Sequence, residues 1–383
     1  SFPQMQSIQM PSTTLPESAT RAADTAAVDV AIIGTGFAGL GAAIRLLQEG
    51  MTDILVFERA DEVGGVWREN RYPGCACDTA SHLYSFSFAP KPDWSRRFAG
   101  RDEIFAYLKR CATQFGVRPH IRFGHAVRRA AWDEDTLRWN VETSEGTYAA
   151  RALICGVGTH SQPSVPDLPG QERFEGRAFH SSDWPEGFDP SGRRVAVVGT
   201  GASAVQIVPA LQPHAEHLTL FQRTPAWVVP HGNREIPPAV HDLFRRVPGL
   251  LRAWRFALHH LREATGWLFW DRRVARLAEP IVRYWMRGQI ADPLGCKRIL
   301  HSDTYLPTLS EPNVTVVDGA AREVHPGGVS GPEGGSGPAG PREADVHDAD
   351  AIVYCTGFQS TEMPFSRRIY GREGQALAET WGD

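Results

Sequence analysis

The feature that most constrains this chain is a short strand followed by a glycine turn and a helix. Residues 28–33 form a mostly apolar run, and the turn Gly34-Thr35-Gly36-Phe37-Ala38-Gly39 follows directly. The stretch 40–48 has a helical composition, and 53–57 is a second apolar strand that ends at Glu58. This order, over about 30 residues, is typical of a βαβ nucleotide-binding unit.

The same layout occurs again further along the chain. A strand at 194–198 leads into the turn Gly199-Thr200-Gly201-Ala202-Ser203-Ala204, a helix at 205–211 and a strand at 218–221. One more buried strand is expected at 350–355. Strands that alternate with helices indicate parallel sheets. The sequence therefore predicts an α/β protein with two Rossmann-like dinucleotide-binding domains.

The residues of the first turn have distinct expected roles. Gly34 allows the tight bend, Gly36 lets the backbone approach a pyrophosphate, and Gly39 lets the helix pack closely on the strand. The helix N-terminus then faces the phosphates. Glu58 lies 19 residues after Gly39, where a carboxylate accepts both hydroxyls of an adenosine ribose. The first site therefore favours FAD or NAD.

The second turn has a cation where the first has an acid. Arg223 lies 19 residues after Ala204, and Thr224, Lys297 and Arg298 are candidates to join it around one anion. A cation at this offset suits a ribose 2′-phosphate, which favours NADPH over a solvated surface arginine. Two such sites in one chain imply that hydride passes from NADPH to a bound flavin.

Composition and cysteine usage narrow the class of protein. The net charge of −4 shows no basic excess of the kind that nucleic acid attracts. The six cysteines are scattered, and Cys75 and Cys77 form C-x-C rather than a thiol-disulfide C-x-x-C motif. The sequence predicts reduced thiols in a cytoplasmic protein, with no metal site. No apolar run reaches the roughly 18 residues of a membrane-spanning helix.

Three segments fall outside the two nucleotide-binding units. Residues 1–27 are rich in Ser, Thr, Pro and Ala, and we expect a flexible tail. Residues 326–343 are rich in Gly and Pro, and we expect a mobile loop. A helical insertion is expected at about 235–295, where one helix face carries Leu251, Trp254, Leu258 and Leu261.

The helical insertion is unusually rich in arginine. It carries ten arginines and no lysine between His241 and Arg287, interleaved with tryptophans. Such a helix can lie on a membrane surface. We prefer the interpretation that its aromatic residues serve packing or a hydrophobic substrate.

A long motif between the two units carries a family resemblance. The segment 174–185 reads FEGRAFHSSDWP, and its motif positions are Phe174, Gly176, His180, Trp184 and Pro185. It resembles the F-x-G-x-x-x-H-x-x-x-W-P fingerprint of Baeyer-Villiger monooxygenases, whereas flavin monooxygenases that oxidise nitrogen or sulfur carry a similar string without Trp-Pro. We expect a linker or conformational role for His180, with a satisfied core histidine as the alternative.

The resemblance extends to segments that border the flavin in that family. They include Gly64-Gly65-Val66-Trp67, the stretch 70–78, and His82-Leu83-Tyr84-Ser85-Phe86. Expected flavin contacts are therefore Gly65, Val66, Trp67, Asp78, Tyr84 and Val127. For Tyr84 a half-buried strand is an equal alternative.

The same resemblance supplies a catalytic pair. Cys296-Lys297-Arg298 is similar to the family segment whose arginine faces the flavin and pairs with an aspartate, here Asp78. Lys297 is then expected to touch NADPH. A guanidinium beside a flavin C4a-peroxide favours the anion that attacks a carbonyl, and Asp78 would orient Arg298. The alternative is a structural salt bridge.

The resemblance implies a complete reaction and a domain plan. A ketone, O2 and NADPH would give an ester or lactone, with FAD as the resident cofactor. The expected parts are an FAD-binding domain at 28–160 that returns at 346–383, and an NADPH-binding domain inserted at 161–345. Family chains run further, so the FAD domain is expected to be incomplete. N- or S-oxygenation and a noncatalytic nucleotide-binding fragment remain alternatives, and the oligomeric state stays open.

Overall fold

The structure is a computed structural model, and it describes residues 26–270, 280, 284, 299–332, 334–337, 340–342, 345–360 and 363–381. Its strands are, in chain order, β1 (Ala26–Ile33), β2 (Ile54–Phe57), β3 (Ile121–Arg122), β4 (Val127–Asp133), β5 (Arg138–Thr143), β6 (Thr147–Cys155), β7 (Arg177–His180), β8 (Arg194–Val198), β9 (His217–Gln222), β10 (Val228–Val229), β11 (Leu300–His301), β12 (Val314–Asp318), β13 (Glu323–His325), β14 (Gly328–Ser330), β15 (Gly334–Gly337), β16 (Gly340–Arg342), β17 (Val346–Asp348), β18 (Ala351–Tyr354) and β19 (Ile369–Tyr370).

The helices range from four residues to the 21 residues of the longest. They are α1 (Phe37–Gln48), α2 (Val66–Glu69), α3 (Arg101–Gln114), α4 (Ala202–Leu211), α5 (Pro238–Arg246), α6 (Leu250–Trp270), α7 (Tyr305–Thr308) and α8 (Leu377–Trp381).

Two sheets organise the described part of the chain. One has seven strands in the order β19-β4-β5-β6-β1-β2-β3, and the other has five in the order β12-β9-β8-β18-β7. The five-stranded sheet is parallel throughout. In the seven-stranded sheet β1 pairs in parallel with β2 and β6, while β5 pairs antiparallel with both neighbours. The predicted α/β class with two nucleotide-binding folds is confirmed.

Register brings separate turns to the same sheet edge. Ile33 is level with Phe57 on β2 and with Cys155 on β6. Because parallel strands end at the same edge, the residues that follow them, Gly34, Glu58 and Gly156, meet there. The second sheet repeats this arrangement, since Val198 is level with both Phe221 and Tyr354.

The apolar faces of helices α1 and α4 pack against the two sheets. Leu40, Ala43 and Ile44 of α1 are fully buried against β1 and β2. Ile207 and Val208 of α4 are buried in the same way against β8 and β9. Full burial of a Leu or Ile side chain contributes about 1.5–3 kcal/mol, so these faces fix where each glycine turn points.

The predicted loop at 326–343 is wrong in part. Strand β14 lies inside it and pairs with β13 and β17, and Val329 is fully buried among Ala196, Val324 and Ile352. The Gly- and Pro-rich composition does not indicate this strand, because a three-residue strand needs only one apolar side chain to pack against a core that other segments already form. Strands β15 and β16 pair further along the same segment.

The predicted helical insertion contains α5 and α6 in its described part. The predicted apolar face of α6 is only partly covered, because Trp254 is 43% exposed and Leu261 is 63% exposed. Arg255 is half-buried instead. Residues 1–25 and most of 271–298 lie outside the described residues, and so do the expectations that fall on them.

Candidate nucleotide and flavin sites

The first glycine turn has the geometry that its sequence predicts. Gly34 has φ +92°, and a Cβ on Gly39 would lie 1.8 Å from the Gly34 carbonyl oxygen. Gly39 thus allows α1 to start directly against β1. Helix α1 has Gly36 as its N-cap, with no side-chain cap and no acidic residue in its first turn. Its first N–H groups therefore remain available for an anionic ligand.

A cavity of about 330 Å³ opens in front of this turn, and we call it the first-turn cavity. It is lined by residues from the ends of β1, β2 and β6 and from more distant segments. The expected contacts that line it are Gly34, Gly36, Phe37, Ala38, Glu58, Gly65, Val66, Tyr84 and Val127. Gly39 and Trp67 support these residues from behind, through the contact with Gly34 and with Tyr84 respectively.

Several residues of the first-turn cavity were not expected from the sequence. They come from the crossover after β6 and from the segment before β19: Gly156, Val157, Gly158, Thr159, His160, Ser161, Gln162, Phe365 and Arg368. No local motif marks them, because they reach the cavity only through the sheet order. The run Gly156-Val157-Gly158 at the end of a buried strand was the one available signal.

Glu58 is buried at the end of β2 and already has several partners. Its Oε2 accepts hydrogen bonds from the Thr35 amide at 3.1 Å and the Thr35 hydroxyl at 2.5 Å. Arg68 lies 3.1 Å from its Oε1, and both side chains are at least nine-tenths buried. Arg68 was not expected from the sequence. The guanidinium compensates the buried carboxylate and fixes it at the edge of the first-turn cavity.

Tyr84 and Phe37 line one wall of the first-turn cavity, and Trp67 supports Tyr84 from behind. The Tyr84 ring packs edge-on against Phe37 at 4.8 Å and against Trp67 at 5.5 Å. The Trp67 Nε1–H donates a hydrogen bond to the Tyr84 hydroxyl at 3.1 Å. Burial, with a contribution from Asp78, raises the pKa of Tyr84 to about 12. The tyrosine is therefore a neutral wall residue, not the half-buried strand of the alternative expectation.

The second glycine turn mirrors the first. Gly199 has φ +108°, and a Cβ there would lie 2.6 Å from the Cys355 carbonyl oxygen. The N-cap of α4 is Gly201, again with no side-chain cap and no acid in the first turn. The Thr200 hydroxyl donates to the Thr224 carbonyl oxygen at 2.7 Å, which ties the turn to the end of β9.

The remaining expected residues of the second site are only partly described. Ala202, Ser203 and Ala204 form the first turn of α4, and the side chain of Arg223 is exposed just beyond β9. Lys297 and Arg298 lie outside the described residues. The expected pairing of Arg298 with Asp78 therefore stays a prediction.

Asp78, an expected flavin contact, does not line the first-turn cavity. It is half-buried, and its charge contributes to raising the pKa of Tyr84 on one side and that of His231 on the other. Burial is the larger effect on His231 and lowers its pKa overall. The expected contact between Asp78 and the flavin therefore stays a prediction.

His180 of the long motif connects the two crossovers between the sheets. The Ser182 amide donates to its Nδ1 at 3.1 Å, so the proton must lie on Nε2, which donates to the Gly357 carbonyl oxygen at 3.0 Å. Gly357 also accepts from the Ser164 amide at 2.9 Å. Burial lowers the pKa of His180, and the neutral ring acts as a structural link.

The other motif residues support the same junction. Trp184 packs edge-on against Phe179 at 5.2 Å, beside Pro185. Gly176 lies against the Asp350 carbonyl oxygen and the ring of Phe174.

Among the described helices, none has the length and apolar content needed to cross a membrane.

Comparison with known proteins gives a consistent result. A Baeyer-Villiger monooxygenase of Streptomyces coelicolor is 47% identical over 89% of this chain and 66% of its own. Cyclohexanone monooxygenase from Rhodococcus sp. Phi1 bound to NADP+ superposes with a TM-score of 0.80 at 31% identity, covering 93% of this chain and 76% of that one. The OTEMO complex with FAD and NADP gives 0.80 at 29% identity, with the same coverage.

The chain thus spans about two thirds of the length of the curated relative from Streptomyces. Residues 27–253 match the family described as flavin-binding monooxygenase-like. That match covers more than half of the chain and includes both glycine turns and the 174–185 motif. The protein therefore belongs to the flavin-binding monooxygenase-like family.

Proposed function

We propose that this chain binds FAD and NADPH and acts as a Baeyer-Villiger monooxygenase that converts a ketone to an ester or lactone. One observation carries the proposal. Two glycine turns follow parallel strands in two separate sheets, one turn beside a buried acid, Glu58, and the other beside an exposed cation, Arg223. The Trp184-Pro185 ending of the motif favours ketone oxidation over N- or S-oxygenation.

Several residues that line the first-turn cavity are suited to hold FAD. A Cβ on Gly65 would lie 3.0 Å from the Gly36 Cα, so these two glycines pack closely and present backbone without side chains to the cavity, where a pyrophosphate would bind. Glu58 would lie at the adenosine end, and Tyr84, which accepts a hydrogen bond from Trp67, lines the wall. FAD, once reduced by NADPH, would supply the chemistry that activates O2 and transfers one oxygen atom.

Protein groups would then control charge and orientation. Arg223, Thr224 and Lys297 would hold the 2′-phosphate of NADPH. Arg298 would supply a fixed positive charge where negative charge develops on the oxygen, and Asp78 would orient it through a charge-assisted hydrogen bond. The neutral His180 would keep the crossover at Gly357 in place. Reduced thiols at the described cysteines are consistent with a cytoplasmic enzyme.

The domain plan forms part of the proposal. The FAD-binding domain would comprise 28–160 and the return 346–383, and the NADPH-binding domain 161–345 would be inserted between them. The seven-stranded sheet, built from strands before residue 156 and from β19, supports this division.

The test combines a spectrum with product identification. The purified chain is expected to bind FAD, to show flavin reduction by NADPH without oxygen, and to convert a cyclic ketone to a lactone in air. An amine and a thioether serve as competing substrates. N-oxide or sulfoxide as the main product would support the other oxygenase class, and nucleotide binding without flavin reduction would support a noncatalytic fragment.

The role of Arg298 has its own test. We expect Arg298→Ala to retain flavin reduction by NADPH and to lose ketone oxidation, because the fixed charge acts after reduction. Equal loss of both steps would instead indicate a structural role.

A further inference from the structure

The segment that carries Tyr84 has little regular structure of its own. Residues 80–86 form successive turns, with the Tyr84 amide bonded to the Ala80 carbonyl oxygen at 2.9 Å. No strand or helix fixes the backbone around Tyr84 in the described structure. The position of this side chain on the cavity wall must therefore depend on contacts from outside the segment.

Arg255 of α6 provides such contacts on both sides of Tyr84. Its guanidinium donates to the His82 carbonyl oxygen, to the Ser85 hydroxyl at 2.6 Å and to the Ser85 carbonyl oxygen at 3.2 Å. The planar fork of an arginine can reach these separate acceptors at once, whereas a lysine ammonium cannot match the geometry. Arg255 thus holds the backbone on either side of the tyrosine.

The acceptors of Arg255 are neutral, which separates this contact from an ordinary ion pair. No acid is paired with Arg255 within the described part of the chain. Burial lowers the pKa of Arg255, as expected for a half-desolvated cation. Its stabilisation therefore comes from hydrogen bonds to a backbone whose geometry it fixes.

Helix α5 contacts the same segment at His82 and the following segment at Trp94. The ring of His82 packs edge-on against Phe244 at 5.1 Å, and the His241 Nε2 lies 3.0 Å from the Trp94 carbonyl oxygen. The helical insertion between β10 and β11 is therefore fastened directly to residues beside the first-turn cavity. A shift of α6 would move the backbone of 82–85 with it.

We propose that Arg255 is a positioning residue that holds the Tyr84 wall of the first-turn cavity from the helical insertion. The inference rests on the proposed function in one respect, the assignment of FAD to that cavity. The proposal gives the arginine-rich helical insertion a role in positioning the cavity wall, which neither the glycine turns nor the 174–185 motif has. Through this contact, the placement of the insertion sets the shape of the flavin wall.

The experiment compares Arg255→Ala and Arg255→Lys with Arg252→Ala, an exposed arginine one turn earlier on the same helix. Hydrogen exchange of the 80–88 backbone is measured in the flavin-free protein, and the dissociation constant for FAD is measured by titration. We expect both Arg255 variants to exchange faster at 80–88 and to bind FAD about tenfold more weakly, the loss of roughly one good hydrogen bond. Arg252→Ala should match the unmodified protein.

Three results would overturn the proposal. They are unchanged exchange at 80–88, exchange that rises only within α5 and α6, and full rescue by Arg255→Lys, which would show that charge alone matters. Ser85→Ala removes one acceptor without touching the helix and should give a smaller increase in exchange, so the idea stays testable if Arg255→Ala does not fold. If the unmodified chain fails to bind FAD at all, the proposed function is refuted. The hydrogen-exchange comparison would still test whether Arg255 positions the 80–88 backbone.

Discussion

The Nε2 of His180 donates a hydrogen bond to the carbonyl oxygen of Gly357, 3.0 Å away and 177 residues further along the chain. This bond joins the motif after the first crossover to the turn after β18. Because Gly357 also accepts from Ser164, both connections between the two sheets meet at one carbonyl. Four predictions follow from this and the other contacts of the two sites.

Replacing His180 should destabilise the fold in a pH-dependent way. His180→Gln removes a buried link, and we expect a loss of about 1–3 kcal/mol in the free energy of unfolding near neutral pH. The lowered folded-state pKa means that the unfolded chain binds more protons, so the contribution of His180 is complete above its unfolded pKa and is lost as the pH falls.

Urea unfolding at pH 7.5 and pH 5 would check this prediction. The variant should lose less stability than the unmodified protein between the two pH values. His82 and His231, whose pKa values are also lowered, supply the pH dependence that remains. An identical pH dependence in both proteins would rule out a role for His180 titration.

Breaking the Glu58–Arg68 pair should cost more than removing both charges. We expect Arg68→Met to lower the free energy of unfolding by about 3–5 kcal/mol, because it leaves a buried carboxylate without its cation. The double variant Arg68→Met with Glu58→Gln should recover much of that loss. Denaturant titrations of the two single variants and the double variant give the coupling, and purely additive effects would contradict the prediction.

Gly39→Ala should disrupt the first turn. The added methyl would lie 1.8 Å from the Gly34 carbonyl oxygen, which forces α1 away from β1. We expect loss of FAD binding together with a lower melting temperature. Gly327→Ala is a matched control, since a Cβ there meets nothing within 4 Å. Equal FAD content in both variants would show that the close approach is not required.

Arg223→Ala should change coenzyme preference. Loss of one charged contact to a 2′-phosphate is expected to raise the KM for NADPH about tenfold, and that for NADH hardly at all. Flavin reduction with each coenzyme measures the ratio. Arg128→Ala, an exposed arginine on β4, controls for a general loss of positive charge. An unchanged NADPH to NADH ratio would exclude Arg223 from the phosphate site.

Local sequence patterns predict those features of this protein whose structure depends only on residues close together in the chain. The glycine spacing predicts both turns because backbone φ and the absence of Cβ are local properties, and Gly34 and Gly199 have the expected positive φ. The strand at 194–198 was predicted to the residue, since a buried parallel strand is a continuous apolar run. The acid after β2 was likewise visible from its offset alone.

Only the tertiary structure decided which distant residues meet at each site. Arg68 beside Glu58, Phe365 on the cavity wall and Arg255 around Tyr84 have no local signature, because their roles arise from sheet order and helix docking. The strand at Gly328–Ser330 was missed for the same reason, since a core supplied by other segments gave Val329 its burial. Local backbone chemistry determined the two glycine turns, whereas long-range packing determined which distant side chains lie beside them.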